Sequence, residues 1–277
     1  MLTVLLYAND KQLSQALKKE FIQKIKDQPI RVVEENEQAD YIITIGGDGT
    51  LLSAFHRFPQ YLEHSQFIGI HTGHLGFYAD WLANGIDQLI KGLVSGNRES
   101  VSYPLLTVDI KTTDKRSIRR LALNEFVLRS AAGTVVCDVY LDDFCFETFR
   151  GDGICISTPT GSTGLNKSLG GAVIHPKLDA MQMTEIASIN NLIYRTLSSP
   201  VIVPQEESIT LKPDPESGNF ILSLDNQSLS LENIESIRTQ IAPQRIRFAS
   251  LKHTHFWDRV ASSFIGNHSG DSRELNR

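Results

Sequence analysis

The amino-acid sequence predicts an α/β first domain with a mainly parallel sheet, a β-rich, sandwich-like second domain, and a last helix that returns to the first. Three observations carry this prediction. Up to about residue 100, short β-branched runs alternate with stretches whose apolar residues recur at helical spacing, the order expected of strands and covering helices in a parallel sheet. From about Tyr103 the segments become short and alternating, with little helical pattern between them. At 255–266 helical spacing resumes.

Taken in order, LTVLLY (2–7) reads as a first buried strand. Residues 11–26 place Leu13, Leu17, Phe21 and Ile25 four apart, an amphipathic stripe. IRVVE (30–34) is a second strand and YIITI (41–45) a third, β-branched or aromatic throughout. FIGIH (67–71) repeats the pattern and runs into TGHLGF, and 86–96 is a helix with a glycine stop. In such sheets ligands sit at the carboxyl ends of the strands, where Gly46–Thr50 and Thr72–Phe77 both fall. The second domain is read from LLTVDI, SIRRLAL, VVCDVYLD, CFETF and ICIST, then VIVP, SITLK, FILSLD, LSLE and IRFAS. Helical spacing interrupts it only over about 177–195. The expected boundaries are 1–100 plus 250–266 for the α/β domain and 101–249 for the β-rich domain. The polar stretch 267–277 is expected to be a disordered tail.

Composition narrows the classes. A chain of 277 residues, 41% hydrophobic, can bury one large or two ordinary cores. The 27 basic and 32 acidic residues are interspersed and sum to a net charge of -5, which argues against a nucleic-acid partner. Cys137, Cys145 and Cys155 form neither a disulfide framework nor a zinc spacing and fit a reducing compartment. The N-terminus lacks a basic n-region, and no apolar run is long enough to span a bilayer. The expectation is a soluble cytoplasmic protein without a membrane partner.

The chemistry centres on GGDGT. Gly46, Gly47 and Gly49 permit a tight turn after the third strand. Leu51, Leu52 and Phe55 then open a helix whose N–H groups can face a phosphate, with Gly46, Gly47 and Thr50 as the phosphate contacts. Asp48 adds a carboxylate, which does not bind phosphate but can handle a proton or a metal beside it. Glycine turns after strands also occur in α/β domains without a site. No Gly-Lys-Ser/Thr follows, so this is not a Walker A loop, and no His-Arg-Asp or Asp-Phe-Gly marks a protein kinase.

A second candidate is STPTGSTGLNKSLGGAVIHP (157–176), where hydroxyl residues and glycines surround a single lysine, Lys167. Hydroxyls donate and accept, which suits ribose and amide edges, although they also cap their own turns. Asn124-Glu125 can serve a diol, and Asp152 in a glycine-flanked turn can accept from an amide; singly, each also reads as a solvated turn. The histidines of HTGH (71–74) leave a strand through a glycine and read as loop residues. Phe77 suits either a base or the core.

Gly46–Thr50, Asn124-Glu125, and Thr158-Pro-Thr-Gly-Ser-Thr163 with Gly170-Gly171, in this order and spacing, resemble the NAD kinase family over nearly the whole chain, and GIHTGHLGF (69–77) is similar to a further motif of it. The glycine-Asp-glycine core alone is shared with phosphofructokinases and with diacylglycerol and sphingosine kinases. The resemblance implies phosphoryl transfer from a nucleoside triphosphate to the adenosine ribose 2′-hydroxyl of NAD, giving NADP. It further implies NAD at the domain junction and a homotetramer that buries the β-rich domains. By that likeness Asp48 is the general base. Asn124 and Glu125 hold the ribose near the nicotinamide, Asp152 and Thr163 meet the nicotinamide side, and Phe77 and Ser168 line the adenine. Arg150, Thr160, Ala187, Ile189 and Asn226 match further pocket positions, and Tyr194 one that reaches a neighbouring subunit's site. Gly49, Gly164, Leu165, Asn166 and Lys167 complete the implied substrate-binding set. Mg²⁺ would arrive with ATP, since it binds substrate phosphates more often than a protein cage.

Gly164 and Leu165 stand where the family usually has Ala-Tyr. Loss of the ring removes a stacking contribution of about 0.5–1.5 kcal/mol, so weaker or broader substrate binding is expected. Two other readings keep the glycine-Asp-glycine core: a lipid or sugar kinase, which would be expected to show a membrane-facing surface in the lipid case, and a dinucleotide sensor, which would not need Asp48.

Overall fold

In the computed structural model, residues 1–73, 76–96, 98–217, 220–252 and 255–266 are described; His74 and the expected tail at 267–277 lie outside them. The chain forms two compact units, one of Met1–Ser102 with the chain from Ile246, the other of Tyr103–Arg245.

The first unit holds β1 (Leu2–Ala8), α1 (Gln12–Lys24), β2 (Ile30–Val32), β3 (Tyr41–Gly46), α2 (Asp48–Arg57), β4 (Gln66–His71), β5 (Trp81–Leu82) and α3 (Ile86–Val94). Its strands run parallel in the order β2-β1-β3-β4, and β5 pairs with the end of β4. Every residue of β3 is buried, as expected of a central strand covered on both faces. Val4, Leu6, Ile43, Ile45, Ile68 and Ile70 pack with Leu17, Phe21 and Ile25 and with Ile86, Leu89 and Ile90 of α3. Phe21, fully buried, contributes on the order of 1.5–3 kcal/mol to that core. Leu13, the first member of the predicted stripe, is 52% exposed. Residues four apart advance by about 40° at 3.6 per turn, so such a stripe walks off the core over three steps.

The second unit begins along β6 (Ser100–Thr112) and continues with β7 (Ser117–Ala122), β8 (Glu125–Ser130), β9 (Val135–Leu141), β10 (Phe144–Gly151), β11 (Gly153–Ser157), the short α4 (Leu165–Ser168), β12 (Ala180–Ile186), β13 (Val201–Pro204), β14 (Ile209–Pro213), β15 (Phe220–Leu224), β16 (Gln227–Leu231) and β17 (Ile234–Ala249). One sheet runs β13-β12-β11-β8-β15-β16, antiparallel throughout. The other pairs β10-β9-β14-β17, with β6 and β7 beyond. Phe126, Leu128, Ile156 and Met183 of the first pack against Val108, Val139, Leu211 and Ile237 of the second in one core, so the sandwich expected from the alternating segments is present. Past Arg245, β17 runs on into the first unit, where Phe248 pairs with Phe67 of β4. The last element among the described residues is α5 (Phe256–Phe264), whose Phe256 ring meets Phe77 of the same unit edge-on at 5.8 Å between centroids.

The helical expectation over 177–195 fails. Residues 180–186 form β12, and no helix covers 187–199. Gln182 and Thr184 are buried although polar, because they bond to the loop lying over them: Gln182 to the backbone of Ala172 and Thr184 to Asn166. Met181, Gln182, Met183 and Thr184 alternate apolar and polar, the period of a strand, and that short signal outweighs the helical spacing around it. Among the described residues no helix is long and apolar enough to cross a membrane.

Candidate active site

In the first unit β3 ends at Gly46, Gly47 caps α2, and Asp48 is the first helical residue. A Cβ on Gly46 would lie 2.1 Å from Thr50 Oγ1 and 2.6 Å from Asn9 Nδ2. Its absence admits the bond that Asn9 Nδ2 donates to Thr50 Oγ1 at 3.0 Å. Thr50 is therefore buried and turned into the fold, its hydroxyl already engaged. Gly49 is exposed, and among the described residues no atom lies within 4 Å of where its side chain would stand.

The Asp48 side chain is anchored away from its own helix. Oδ2 accepts the Phe77 N–H at 2.7 Å and Oδ1 the Tyr78 N–H at 3.0 Å. Such charge-assisted bonds from a rigid backbone are about twice as strong as neutral ones and fix the carboxylate plane. Gly76 makes the approach possible, since a Cβ there would lie 2.3 Å from Oδ1. Phe77 is half-buried, its ring edge-on to Tyr78 as well as Phe256. His71 Nδ1 accepts from the Gly73 N–H at 2.9 Å, a local loop bond.

In the second unit the organising group is Asp225, in the turn between β15 and β16 and absent from the sequence-derived set. Its carboxylate accepts N–H bonds from Leu123, Asn124 and Glu125 at 3.0, 2.6 and 3.1 Å. On the other side the 158–161 turn sits on the same peptide: Thr158 donates its N–H to Asn124 O at 2.8 Å and its hydroxyl to Leu123 O at 2.6 Å. A Cβ on Gly161 would lie 2.0 Å from Asn124 O. Asn124-Glu125 is thus clamped between two turns, with Asn226 exposed next to Asp225.

Glu125 is the electrostatic oddity. Burial, and secondarily the charge of Asp225, push its carboxyl up to about 8. Its Oε2 is buried and has no hydrogen-bond partner among the described residues, and the same holds for Thr160 Oγ1 and for Ser157 Oγ, which stands opposite Glu125 in the ladder. Each such atom costs about 1–3 kcal/mol until something bonds to it. Gly164 leaves room beside the carboxyl; a Cβ there would lie 3.1 Å from Oε2.

The remaining loop positions divide. Ser162 and Thr163 spend their hydroxyls on Pro159 O and Thr160 O. Asn166 is fully buried, bonded to Ser162 O, Ala172 O and Thr184, so its side chain builds the loop. Leu165 is half-buried, and Lys167 and Ser168 are exposed. Arg150, Asp152, Ala187, Ile189 and Tyr194 gather elsewhere. The Arg150 guanidinium lies 4.2 Å over the Tyr194 ring, the Ile189 N–H bonds to Arg150 O at 2.7 Å and the Asp152 N–H to Ile186 O at 2.9 Å. This group sits at the start of β11 and Thr158–Thr163 at its end; five strand residues at about 3.3 Å each separate them by roughly 17 Å.

Residues 7–98 match the family ATP-NAD kinase N-terminal domain and residues 123–249 the family ATP-NAD kinase C-terminal domain. The chain belongs to the NAD kinase family. It is 46% identical to the NAD kinase of Latilactobacillus sakei over 95% of its own length and 98% of that protein. To the NAD kinase of Levilactobacillus brevis it is 53% identical, over 82% and 85%. The crystal structure of yeast NADH kinase complexed with NADH shares the fold, at a TM-score of 0.81 and 20% identity over 97% of this chain and 89% of that one. In this NAD kinase family member the motif residues therefore have defined settings. Asp48 stands anchored at a glycine turn, while Asn124 and Glu125 are clamped by Asp225 and the 158–161 turn.

Proposed function

We propose that the protein phosphorylates the adenosine ribose 2′-hydroxyl of NAD with MgATP, giving NADP, and that Asp48 is the general base. The observation that carries this is the Asp48 carboxylate, held by two backbone N–H groups at the mouth of a glycine turn. Phosphoryl transfer passes through a loose transition state in most analyses, so positioning and charge neutralisation contribute more than base strength. A carboxylate fixed in this way orients the attacking hydroxyl before it takes the proton. The glycine turn and the N-terminus of α2 face the phosphates, and the divalent cation enters on the donor. Among the described residues no group of three or more His, Cys, Asp or Glu side chains could hold a metal.

In the second unit Asn124 and Glu125 hold a ribose. Near neutral pH Glu125 is largely protonated, so it offers an O–H donor as well as an acceptor, and with Thr160 Oγ1 it gives buried polar atoms that a diol satisfies. Thr163, Leu165 and Ser168 contribute contacts, and Gly164 leaves the pocket roomier than Ala would. The distant group of Arg150, Asp152, Ala187, Ile189 and Tyr194 suits a second copy's site better than this copy's own. The neighbouring excursion exposes Leu192 and Ile193, 91% and 81% accessible, an apolar surface that assembly would cover. We read the assembly as a homotetramer; light scattering that returned a monomer would remove that part. Cys137, Cys145 and Cys155 are free thiols, consistent with the cytoplasm.

The test is a coupled assay with NAD, ATP and Mg²⁺, reading NADP through an NADP-specific dehydrogenase. Wild type forms NADP, and Asp48→Asn loses about 10²–10⁴-fold in kcat, the range of general-base contributions. Undiminished turnover in Asp48→Asn would refute the role.

A further inference from the structure

The helix α5 carries a buried cation that the proposed mechanism does not use. Arg259 is 6% exposed, although the same helix turns Trp257 and Phe264 to solvent, 48% and 43% accessible. A guanidinium is costly to bury unless its N–H groups are matched. Here both terminal nitrogens find acceptors in one short segment. Nη2 pairs with Asp80 Oδ1 at 2.5 Å, the two side chains 7% and 9% accessible, and Nη1 donates to the carbonyl oxygen of Phe77. Phe256, three residues earlier and so on the same helix face, packs its ring against Phe77.

The Phe77 carbonyl belongs to the same planar peptide unit as the Tyr78 N–H. In a trans peptide C=O and N–H point to opposite edges of a rigid plane. Arg259 holds one edge, and the other donates to Asp48 Oδ1 at 3.0 Å. A charge-assisted bond on the carbonyl also polarises the unit and strengthens the N–H as a donor. The adjacent N–H of Phe77 serves Oδ2 at 2.7 Å. We propose that Arg259 is a positioning residue for Asp48, acting from α5 through the single peptide plane between Phe77 and Tyr78. The inference rests on the NAD kinase reading for its kinetic consequence, but its structural content stands apart from it.

The decisive variant is Arg259→Lys, which keeps a cation for Asp80 but lacks the planar fork that reaches two acceptors at once. The expected result is a folded protein whose kcat falls about 10–100-fold, the scale of a misplacement near 1 Å, while KM for NAD and ATP stays within about twofold. In an Asp48→Asn background the same substitution should leave the residual rate unchanged within about twofold, because the group being positioned is gone. Arg259→Gln, neutral but still a donor, is measured identically in case the lysine variant does not fold. Backbone NMR supplies a readout independent of turnover. The Tyr78 amide shift should differ between wild type and Asp48→Asn, and that difference should collapse in Arg259→Lys. Unchanged kcat in a folded variant, an equal loss on the Asp48→Asn background, or an intact Tyr78 shift difference would overturn the proposal. A wild type that makes no NADP would instead overturn the functional reading, leaving the NMR arm to decide this one.

Discussion

Glu125 should make the protein lose stability as the pH rises from 6 to 8. Its carboxyl, at 4.5 in an unperturbed chain, is pushed up to about 8 by burial first and by Asp225 second. Between those values the folded chain holds a proton that the unfolded chain has released. The associated stability is therefore complete below 4.5 and is lost progressively as the pH rises through 8. One proton of difference corresponds to about 1.4 kcal/mol per pH unit, tapering as the folded group itself begins to ionise, which gives a loss of about 2 kcal/mol between pH 6 and 8. Other groups contribute their own slopes, so the measurement is a difference. Glu125→Gln keeps the shape and stays neutral. Urea unfolding of wild type and variant in parallel at pH 6, 7 and 8 isolates the carboxyl, and any pH-independent cost of the amide cancels. The unfolding free energy of the variant relative to wild type should climb by about 2 kcal/mol across that range. Parallel curves, within about 0.5 kcal/mol, would mean that Glu125 is ionised and solvated in the folded protein, and the reasoning from its burial would fail.

Two further outcomes follow from close approaches. Gly161→Ala would set a Cβ 2.0 Å from the backbone oxygen of Asn124, and backbone cannot swing away as a side-chain tip can. A loss of about 3 kcal/mol or more, seen as a fall in Tm of several degrees, is expected; an unchanged melt would show that the clamp on Asn124 is loose. Leu165→Tyr restores the ring usual in the family and should tighten NAD binding about 2–10-fold by isothermal titration, the equivalent of one stacking contact. No change would mean that position 165 does not reach the ligand.

How much of this could be read from the chain alone depends on whether the signal was local. The strand 41–46 and its turn were legible because a central parallel strand is apolar throughout and its end is marked by glycines. Asp48 stood out as the one carboxylate in that turn. The anchoring of Asp48 was not legible, because Phe77 and Tyr78 come 29 and 30 residues later and bond through the backbone, which leaves no mark in residue identity. Asp225 lies about a hundred residues from the peptides it holds, 102 from Leu123, and in sequence it resembles any turn aspartate. At 180–186 the alternation of Met181–Thr184 suits a strand, but that its polar face is interior was not legible: Gln182 and Thr184 read as outward-facing, yet both are buried and bond to Ala172 and Asn166. Nor was it legible that the Asn166 side chain, in a loop dense with hydroxyls, bonds to Ser162 O and to Thr184 of β12.

The same physical device recurs in both units, and it explains why glycine dominates the motifs. Asp48 takes two backbone N–H groups and Asp225 takes three. A carboxylate bound to main-chain donors is fixed by backbone geometry, not by rotamer choice, so it loses little side-chain freedom when a substrate arrives. Main-chain donors can be brought that close only where no Cβ intervenes. Gly76 meets this condition for Asp48, and Gly161 for the turn seated on Asn124. Arg259 extends the device by one step, holding a carbonyl so that the N–H across the same peptide stays aimed. The glycines and the arginine thus answer one requirement. Substituting either kind should lower kcat through the orientation of Asp48 or Asn124, and not through any contact of its own with the substrates.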